Sequence, residues 1–375
     1  MTGSLHVLHI AGCLGGVETW LRLFVDYADT RMRISMVLPA ECELSHCARA
    51  RGMDVRIVPM ARHLSASDDI GACRGLSRVI RELAPDIVHL HSSKAGLLGR
   101  LACTGLRQPV IYTPHAYFYL GKRGLARTVF LGAERLLEWW SRQMTLGTSP
   151  SEERRAIDDV GCPPSRVKHV LNAVDCDVLD GLRRRAEGGR RRVILVARVG
   201  TQKNIPMFLD LVRLLKGRID AEFCLVGVGH YADDRELLRT MMATAGIDEH
   251  DLTVIAWMSR PDLLALIAEA AVVVLTSSYE SFGYVLAEAN CLGVPVVGTD
   301  VDGIRDVIDD GVNGYLVAPG DAASMAERIA RLMNDRALWT EMSARAVAEA
   351  HARFDIRQAS RLFAKIYEEF ADARR

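Results

Sequence analysis

The 375-residue chain is 49% apolar and 25% charged, with 47 basic and 47 acidic side chains; these globular proportions exclude disorder, collagen-like repeats and fibres, and the length suits two domains. No apolar run approaches the ~18 residues of a membrane-spanning helix, and the N-terminus lacks the basic-then-apolar pattern of a secretory signal, so a cytoplasmic protein is expected. Zero net charge hides an asymmetry: residues 1–170 carry 22 basic and 16 acidic side chains, residues 171–375 carry 25 and 31, which suits only the first half to an anionic surface.

Short apolar runs alternate with helical patterns from end to end. In the first half, strands are expected at 5–11, 33–38, 55–58, 87–91, 110–113 and 144–148. In the second they are expected at 193–197, 222–226, 252–256, 272–276, 294–298 and 314–317. Runs of Val, Ile and Leu this short suit parallel strands buried on both faces. Their alternation with helices predicts an α/β chain of two doubly wound parallel sheets. The polar, glycine-containing stretch 180–192 marks the break between them. Helices follow from Asp321, and the last carries Leu362, Phe363, Ile366, Tyr367 and Phe370 on one stripe.

The nine cysteines contain no Cys-x-x-Cys pair. Cys42 and Cys47 flank His46 without a second zinc-spaced pair, so all are expected as reduced thiols with no bound metal. No finger, recognition-helix or RNP-type pattern occurs, and nucleic acid is not an expected partner.

Ligands of doubly wound sheets bind outside the carboxyl ends of the strands, so the loops after strands carry the argument. The first strand ends in Gly12-Cys-Leu-Gly15-Gly16-Val17-Glu18, where small residues admit a close ligand and helix amides face an anion. A tight strand–helix turn explains the glycines equally well. Gly227-Val-Gly229-His-Tyr-Ala232 imitates a nicotinamide fingerprint, but the next strand ends Ala256-Trp257-Met258, without the acid that would hold a ribose. Trp257 there offers only a stacking surface.

The most informative stretch is Thr276-Ser-Ser-Tyr-Glu280-Ser-Phe282-Gly283-Tyr284-Val285-Leu-Ala-Glu288. A buried strand enters a polar loop and Gly283 opens a helix whose first amides, from Phe282 to Val285, suit a diphosphate. Glu280 and Glu288 are placed to accept hydrogen bonds from hydroxyls, one of a sugar and one of a ribose. Arg198 and Lys203, in Ala197-Arg-Val-Gly-Thr-Gln-Lys-Asn204, are strand-end cations suited to neutralising a departing diphosphate; alone they would read as solvated surface charge. His115 follows a strand in Thr113-Pro-His-Ala, where an imidazole can bond a hydroxyl or serve the fold. His89, inside its strand, reads as core. Residues 122–142 hold five basic and two acidic side chains. Leu125, Val129, Phe130, Ala133, Leu136, Leu137 and Trp140 recur there at helical spacing. Basic flanks with aromatic residues suit a helix at an anionic bilayer interface, while packing on the sheet is the plainer expectation for most of those apolar residues.

These motifs resemble the GT-B-fold retaining glycosyltransferases of the family 4, group 1 type over nearly the whole chain. The match rests on Glu280-Ser-Phe-Gly-Tyr-Val-Leu-Ala-Glu288-Ala, on Gly15–Glu18, on Arg198…Lys203-Asn204 and on Asn172-Ala-Val-Asp175. Pro295-Val-Val-Gly-Thr-Asp-Val-Asp302-Gly303 is similar to the family's Gly-Gly loop, with Asp302 in the first glycine's place, where an inward carboxylate would repel a phosphate. The resemblance implies an N-terminal acceptor domain (1–170), a C-terminal nucleotide-sugar domain (171–353) facing it across a cleft, and a last helix (354–375) crossing back. It implies Arg198, Lys203 and the amides of Gly15, Gly16 and Gly283 on the donor diphosphate, Glu288 on the ribose and Glu280 on the transferred sugar. It also implies His115 lining the sugar pocket and Glu18 facing the acceptor, with Lys94 in the Ser92–Arg100 loop and helix on the same side. Glu280, His115, Arg198 and Lys203 are the catalytic candidates, and no metal is needed. The expected reaction moves a sugar from a nucleotide-sugar, UDP-sugar before GDP-sugar, onto a saccharide on a polyprenyl-diphosphate carrier, at the inner face of the cell membrane in polysaccharide or lipopolysaccharide biosynthesis. A UDP-sugar epimerase of the same fold, or a non-catalytic nucleotide-sugar-binding subunit, is the alternative.

Overall fold

A computed structural model describes residues 4–12, 16–61, 65–183, 191–229 and 233–373. The chain forms two compact units: one runs to Asn172 and resumes at Ile356, and the other is Ala173–Asp355.

The first unit runs β1 (His6–Ala11), α1 (Gly16–Tyr27), β2 (Arg33–Leu38), α2 (Glu43–Ala50), β3 (Asp54–Ile57), α3 (Ala66–Leu83), β4 (Ile87–His91), α4 (Ser92–Ala102), β5 (Val110–Thr113), α5 (Gly124–Ser141), β6 (Met144–Gly147), α6 (Pro150–Arg155) and β7 (Val167–His169). Its sheet is parallel throughout, in the order β3-β2-β1-β4-β5-β6-β7. β1, β4, β5 and β6 are buried along their whole length, which is why each reads as an apolar run rather than an alternation.

The second unit runs α7 (Cys176–Arg183), β8 (Arg192–Val196), α8 (Ile205–Leu215), β9 (Glu222–Val228), α9 (Asp234–Ala245), β10 (Thr253–Ala256), α10 (Arg260–Ala268), β11 (Ala270–Leu275), α11 (Tyr284–Cys291), β12 (Val296–Thr299), α12 (Ile304–Val307), β13 (Gly314–Val317), α13 (Ala322–Asn334) and α14 (Arg336–Phe354). Its parallel sheet has the order β10-β9-β8-β11-β12-β13. The last helix, α15 (Ile356–Asp372), belongs to the first unit, where Ile366 and Tyr367 are buried and Phe363 packs on Trp20 and Phe24 of α1.

Three features depart from expectation. β7 is a seventh strand of the first sheet, invisible because Val167-Lys168-His169 is too short to show a pattern; it exists only by pairing with β6. The unit boundaries at Asn172 and Asp355 lie two residues beyond the expected ones. Part of the expected linker, 184–190, lies outside the described residues.

The third departure is α5. Packing on the sheet was expected for most of its apolar residues, but the buried residues of this helix are Glu134 and Glu138. Glu134 accepts from the Arg100 guanidinium at 2.7 Å and from the Tyr112 hydroxyl at 3.1 Å, and Arg166 lies 3.0 Å from Glu138. Arg100 is itself 1% exposed and donates a further bond to the Gly96 carbonyl. Paired, hydrogen-bonded charges can be buried, and this set turns most of the apolar stripe outward, while Phe130 stays packed against the core. Leu125, Val129, Leu136, Trp139 and Trp140 are all more than half exposed.

Candidate functional site

Strand order reverses between β1 and β4 in the first sheet and between β8 and β11 in the second. Such reversals open the crevice in which ligands of doubly wound sheets bind. Most of the candidate residues sit on the loops leaving these strands.

In the second unit, β8 runs into Ala197-Arg198 and a tight turn over Thr201–Lys203, which hands over to α8 through Asn204 at φ +47°. β11 runs into Thr276–Ser281. The two loops are stitched together: Ser278 N–H donates to the Gln202 carbonyl (2.8 Å), the Gln202 amide to the Tyr279 carbonyl (3.1 Å), and the Thr276 hydroxyl to the Lys203 carbonyl (2.7 Å). This stitching brings Lys203 Nζ to 2.5 Å from Glu280 Oε2. The Ser277 hydroxyl also donates to that carboxylate. Arg198 lies close enough to Tyr279 to oppose the rise that burial and Glu280 impose on its phenol. Arg198, Lys203 and Glu280 thus converge at one end of the sheet.

Beyond Glu280 the chain turns through Gly283, at φ +86°, into α11. The first N–H groups of a helix have no partner within it, so this start is a donor surface for an anion. Phe282 is fully buried beneath it, edge-on to Phe354. Gly303 presses on the same turn at φ +77°: a Cβ there would lie 2.5 Å from Phe282 N and 2.8 Å from the Glu280 carbonyl oxygen. Asp302, the departure from the family pattern, is half-buried in the adjoining position.

Glu288, on the second turn of α11, is buried, and burial raises its pKa. Arg260 Nη2 lies 2.5 Å from its Oε1 without aligning as a hydrogen bond. Arg260 opens α10 directly after the loop that follows β10. Sequence reasoning missed it, because a lone cation there reads as surface charge until Glu288 stands beside it. A cation next to a strand's carboxyl end was the signal, the same one that identified Arg198.

In the first unit, His9 of β1 and His89 and His91 of β4 lie on one face, with His9 opposite His89 in the register. His89 bonds Tyr367 Oη (2.7 Å) and Thr113 Oγ1 (2.8 Å), the core role expected of it. His9 Nδ1 bonds His91 Nε2 (2.9 Å), and His91 Nδ1 bonds His115 Nε2 (3.1 Å). Trp20 and Phe24 pack against these rings. Among the described residues, these three histidines are the group whose ligand atoms lie close enough together for a metal ion. Every ring nitrogen of the three except His9 Nε2 already has a protein partner. His9, His91 and His115 thus form a hydrogen-bonded ladder, with His89 bonded beside it to Tyr367 and Thr113. Desolvation holds His9 and His115 down to about 3, so both rings are neutral at pH 7.

His115 and Ala116 are left-handed at φ +52° and +73°, and Ser92, at the end of the neighbouring strand, is at φ +80°. Non-glycine residues in this region cost of order 1 kcal/mol or more and persist only where surrounding bonds enforce them. Here the buried Glu152 supplies the enforcement, accepting from Ala116 N–H at 2.7 Å and from the Thr148 N–H and hydroxyl. Gly16 is the exposed first residue of α1, with open space where a Cβ would stand. Glu18 is half-buried in the first turn. Lys94, placed by the sequence on the acceptor side, is paired with Asp69 of α3 at 2.5 Å. Gly15 lies outside the described residues.

Comparison with known proteins identifies the family and the fold. The family model for Glycosyltransferase Family 4 matches residues 14–178, and the model for Glycosyl transferases group 1 matches residues 183–353. The phosphatidyl-myo-inositol mannosyltransferase of Mycobacterium leprae is 27% identical over 381 residues, covering 91% of this chain and 97% of that protein. The Escherichia coli UDP-Gal:alpha-D-GlcNAc-diphosphoundecaprenol alpha-1,3-galactosyltransferase is 24% identical over 296 residues, 74% of each chain. Among solved structures, Anabaena HepE in complex with UDP and glucose superposes with a TM-score of 0.80 at 20% identity, covering 97% of this chain and 100% of that one.

Proposed function

From the premise that this chain belongs to the group 1, family 4 glycosyltransferases and has their GT-B fold, we propose that it transfers a sugar with retention from a UDP-sugar to a saccharide carried on polyprenyl diphosphate. The observation that carries this reading is the convergence of Arg198, Lys203 and Glu280 beside the glycine-opened start of α11. Arg198, Lys203 and the helix-start amides meet the diphosphate, whose charge grows as the bond to the sugar breaks. Glu280 accepts hydrogen bonds from the sugar's hydroxyls and Glu288 from the ribose. His115 donates to a substrate hydroxyl. The bond from the anomeric carbon to the diphosphate oxygen breaks as the acceptor oxygen bonds the same carbon, and the acceptor's proton passes to the departing diphosphate. In this scheme protein cations and amides do the work that a metal would otherwise do. The E. coli relative's name, with its UDP-galactose donor and undecaprenyl carrier, favours the donor and acceptor chosen.

A panel of UDP-, GDP- and ADP-sugars, read by thermal shift and by donor hydrolysis, tests the donor. A UDP-sugar is expected to raise the melting temperature and be consumed. Preferential response to a GDP- or ADP-sugar overturns the choice of base, and release of an altered UDP-sugar without acceptor indicates epimerisation.

The reading includes peripheral contact with an anionic membrane through 122–142. Among the described residues no helix is long and apolar enough to cross a membrane. Support comes from α5, whose outward Leu125, Val129, Trp139 and Trp140 lie among Lys122, Arg123, Arg127, Arg135 and Arg142. Apolar area and basic charge together define an interfacial helix. The protein is expected to float with vesicles containing anionic lipid and less with neutral ones, and Trp139→Ala with Trp140→Ala should cut the bound fraction several-fold. Absence of binding to either vesicle removes the membrane from the proposal.

A further inference from the structure

The ladder runs from His9 in the core through His91 to His115. Each imidazole in it is neutral, so each has one N–H to donate and one bare nitrogen to accept. Two directions satisfy both bonds. In one, His9 donates from Nδ1 to His91 Nε2, and His91 donates from Nδ1 to His115 Nε2. His115 then carries its proton on Nδ1, and His9 Nε2 is bare. In the other, every proton is reversed, and His9 is left with a buried N–H on Nε2. That atom is buried and, among the described residues, has no hydrogen-bond partner. Buried N–H donors without partners are rarer in folded proteins than buried acceptors without them. The first direction is the favoured one.

We propose that His91 is a positioning residue for the transfer reaction: hydrogen-bonded between His9 and His115, it holds His115 in the Nδ1–H tautomer, so that Nδ1 presents a donor to the substrate. This rests on the reading of His115 as a substrate-facing residue. The geometry explains why a histidine occupies position 91. Its two ring nitrogens are both engaged, one as acceptor and one as donor, at 2.9 and 3.1 Å. The left-handed backbone at His115 and Ala116, clamped by Glu152, fixes where that ring stands. His91 fixes which way its dipole points. An Nε2–H tautomer would turn a bare nitrogen toward a hydroxyl and select the opposite hydrogen-bond polarity.

Imidazole ¹⁵N spectra of the full chain, with His115 assigned by loss of its signals in His115→Ala, test the proposal directly. The wild-type protein without donor should show His115 as Nδ1–H. His91→Leu should shift it toward the Nε2–H form that free side chains favour and lower kcat/KM at least tenfold. His91→Asn keeps a donor at the place of ring Nδ1 and should restore most of both readouts, whereas His91→Gln should not. An Nε2–H His115 in the wild type, or a His115 spectrum unchanged in His91→Leu, overturns the proposal. The wild-type spectrum decides the tautomer even if a variant fails to fold. The expected tautomers accompanied by unchanged kcat/KM in His91→Leu would instead remove His115 from the substrate site, a failure of the functional reading and not of the ladder.

Discussion

Glu280→Ala is expected to lower turnover by at least about 100-fold, a loss of ~2.7 kcal/mol of transition-state stabilisation. Glu280 and Lys203 are a close ion pair with side chains 12% and 20% exposed, on loops held by three further hydrogen bonds. Removing the carboxylate leaves those bonds in place, so the fold should survive, at a cost of about 1–3 kcal/mol for leaving the largely buried Lys203 ammonium without its partner. What disappears is the acceptor for sugar hydroxyls and the partner that orients Lys203. Glu280→Gln keeps the shape and one acceptor oxygen but not the charge, and should fall between wild type and Glu280→Ala. Steady-state kinetics with the preferred donor, beside a melting curve for each variant, provide the check. Near wild-type turnover in Glu280→Ala would take Glu280 out of the mechanism.

Gly303→Ala should be the most damaging conservative change in the second unit. The added Cβ would meet backbone atoms of the Glu280–Phe282 turn, at 2.5 Å from Phe282 N and Ser281 C, and φ is +77°. Neither backbone can yield without moving the other. Strain at a left-handed position adds about 1–3 kcal/mol to the cost of that clash. The expected outcome is a loss of about 3 kcal/mol or more in urea unfolding. Among molecules that still fold, donor affinity should fall at least tenfold, because the displaced turn carries Glu280 and the start of α11. Gly16→Ala, where a Cβ would meet open space, is the matched control and should unfold like wild type. Equal stability of the two variants would mean that the loop holding Gly303 is not bound to the turn.

Much of this was legible without coordinates, for identifiable reasons. Strands β2, β4, β5 and β13 fall where their apolar runs predict, because a strand buried on both faces needs an apolar side chain at nearly every position. The meeting of Arg198, Lys203 and Glu280 was readable because all three follow the carboxyl ends of strands that prove to be neighbours in the sheet. β7 was not readable: three residues carry no period, and its pairing is a property of β6. Arg260 was overlooked because its meaning depends on Glu288, 28 positions away in the chain and 2.5 Å away in space.

Composition and hydrophobic period by themselves determined the two doubly wound sheets and the loops at the carboxyl ends of their strands, since both are local consequences of which side chains tolerate burial. Only the tertiary structure decided which way α5 faces and what His9 and His91 do. A stripe of Leu, Val and Trp at helical spacing would ordinarily turn inward, yet Glu134 and Glu138 took that face once Arg100 and Arg166 were there to receive them. Likewise, a histidine inside a strand says nothing about its proton until the neighbouring rings are in place. Both outcomes depend on polar groups finding partners across long stretches of chain, and no local pattern records that.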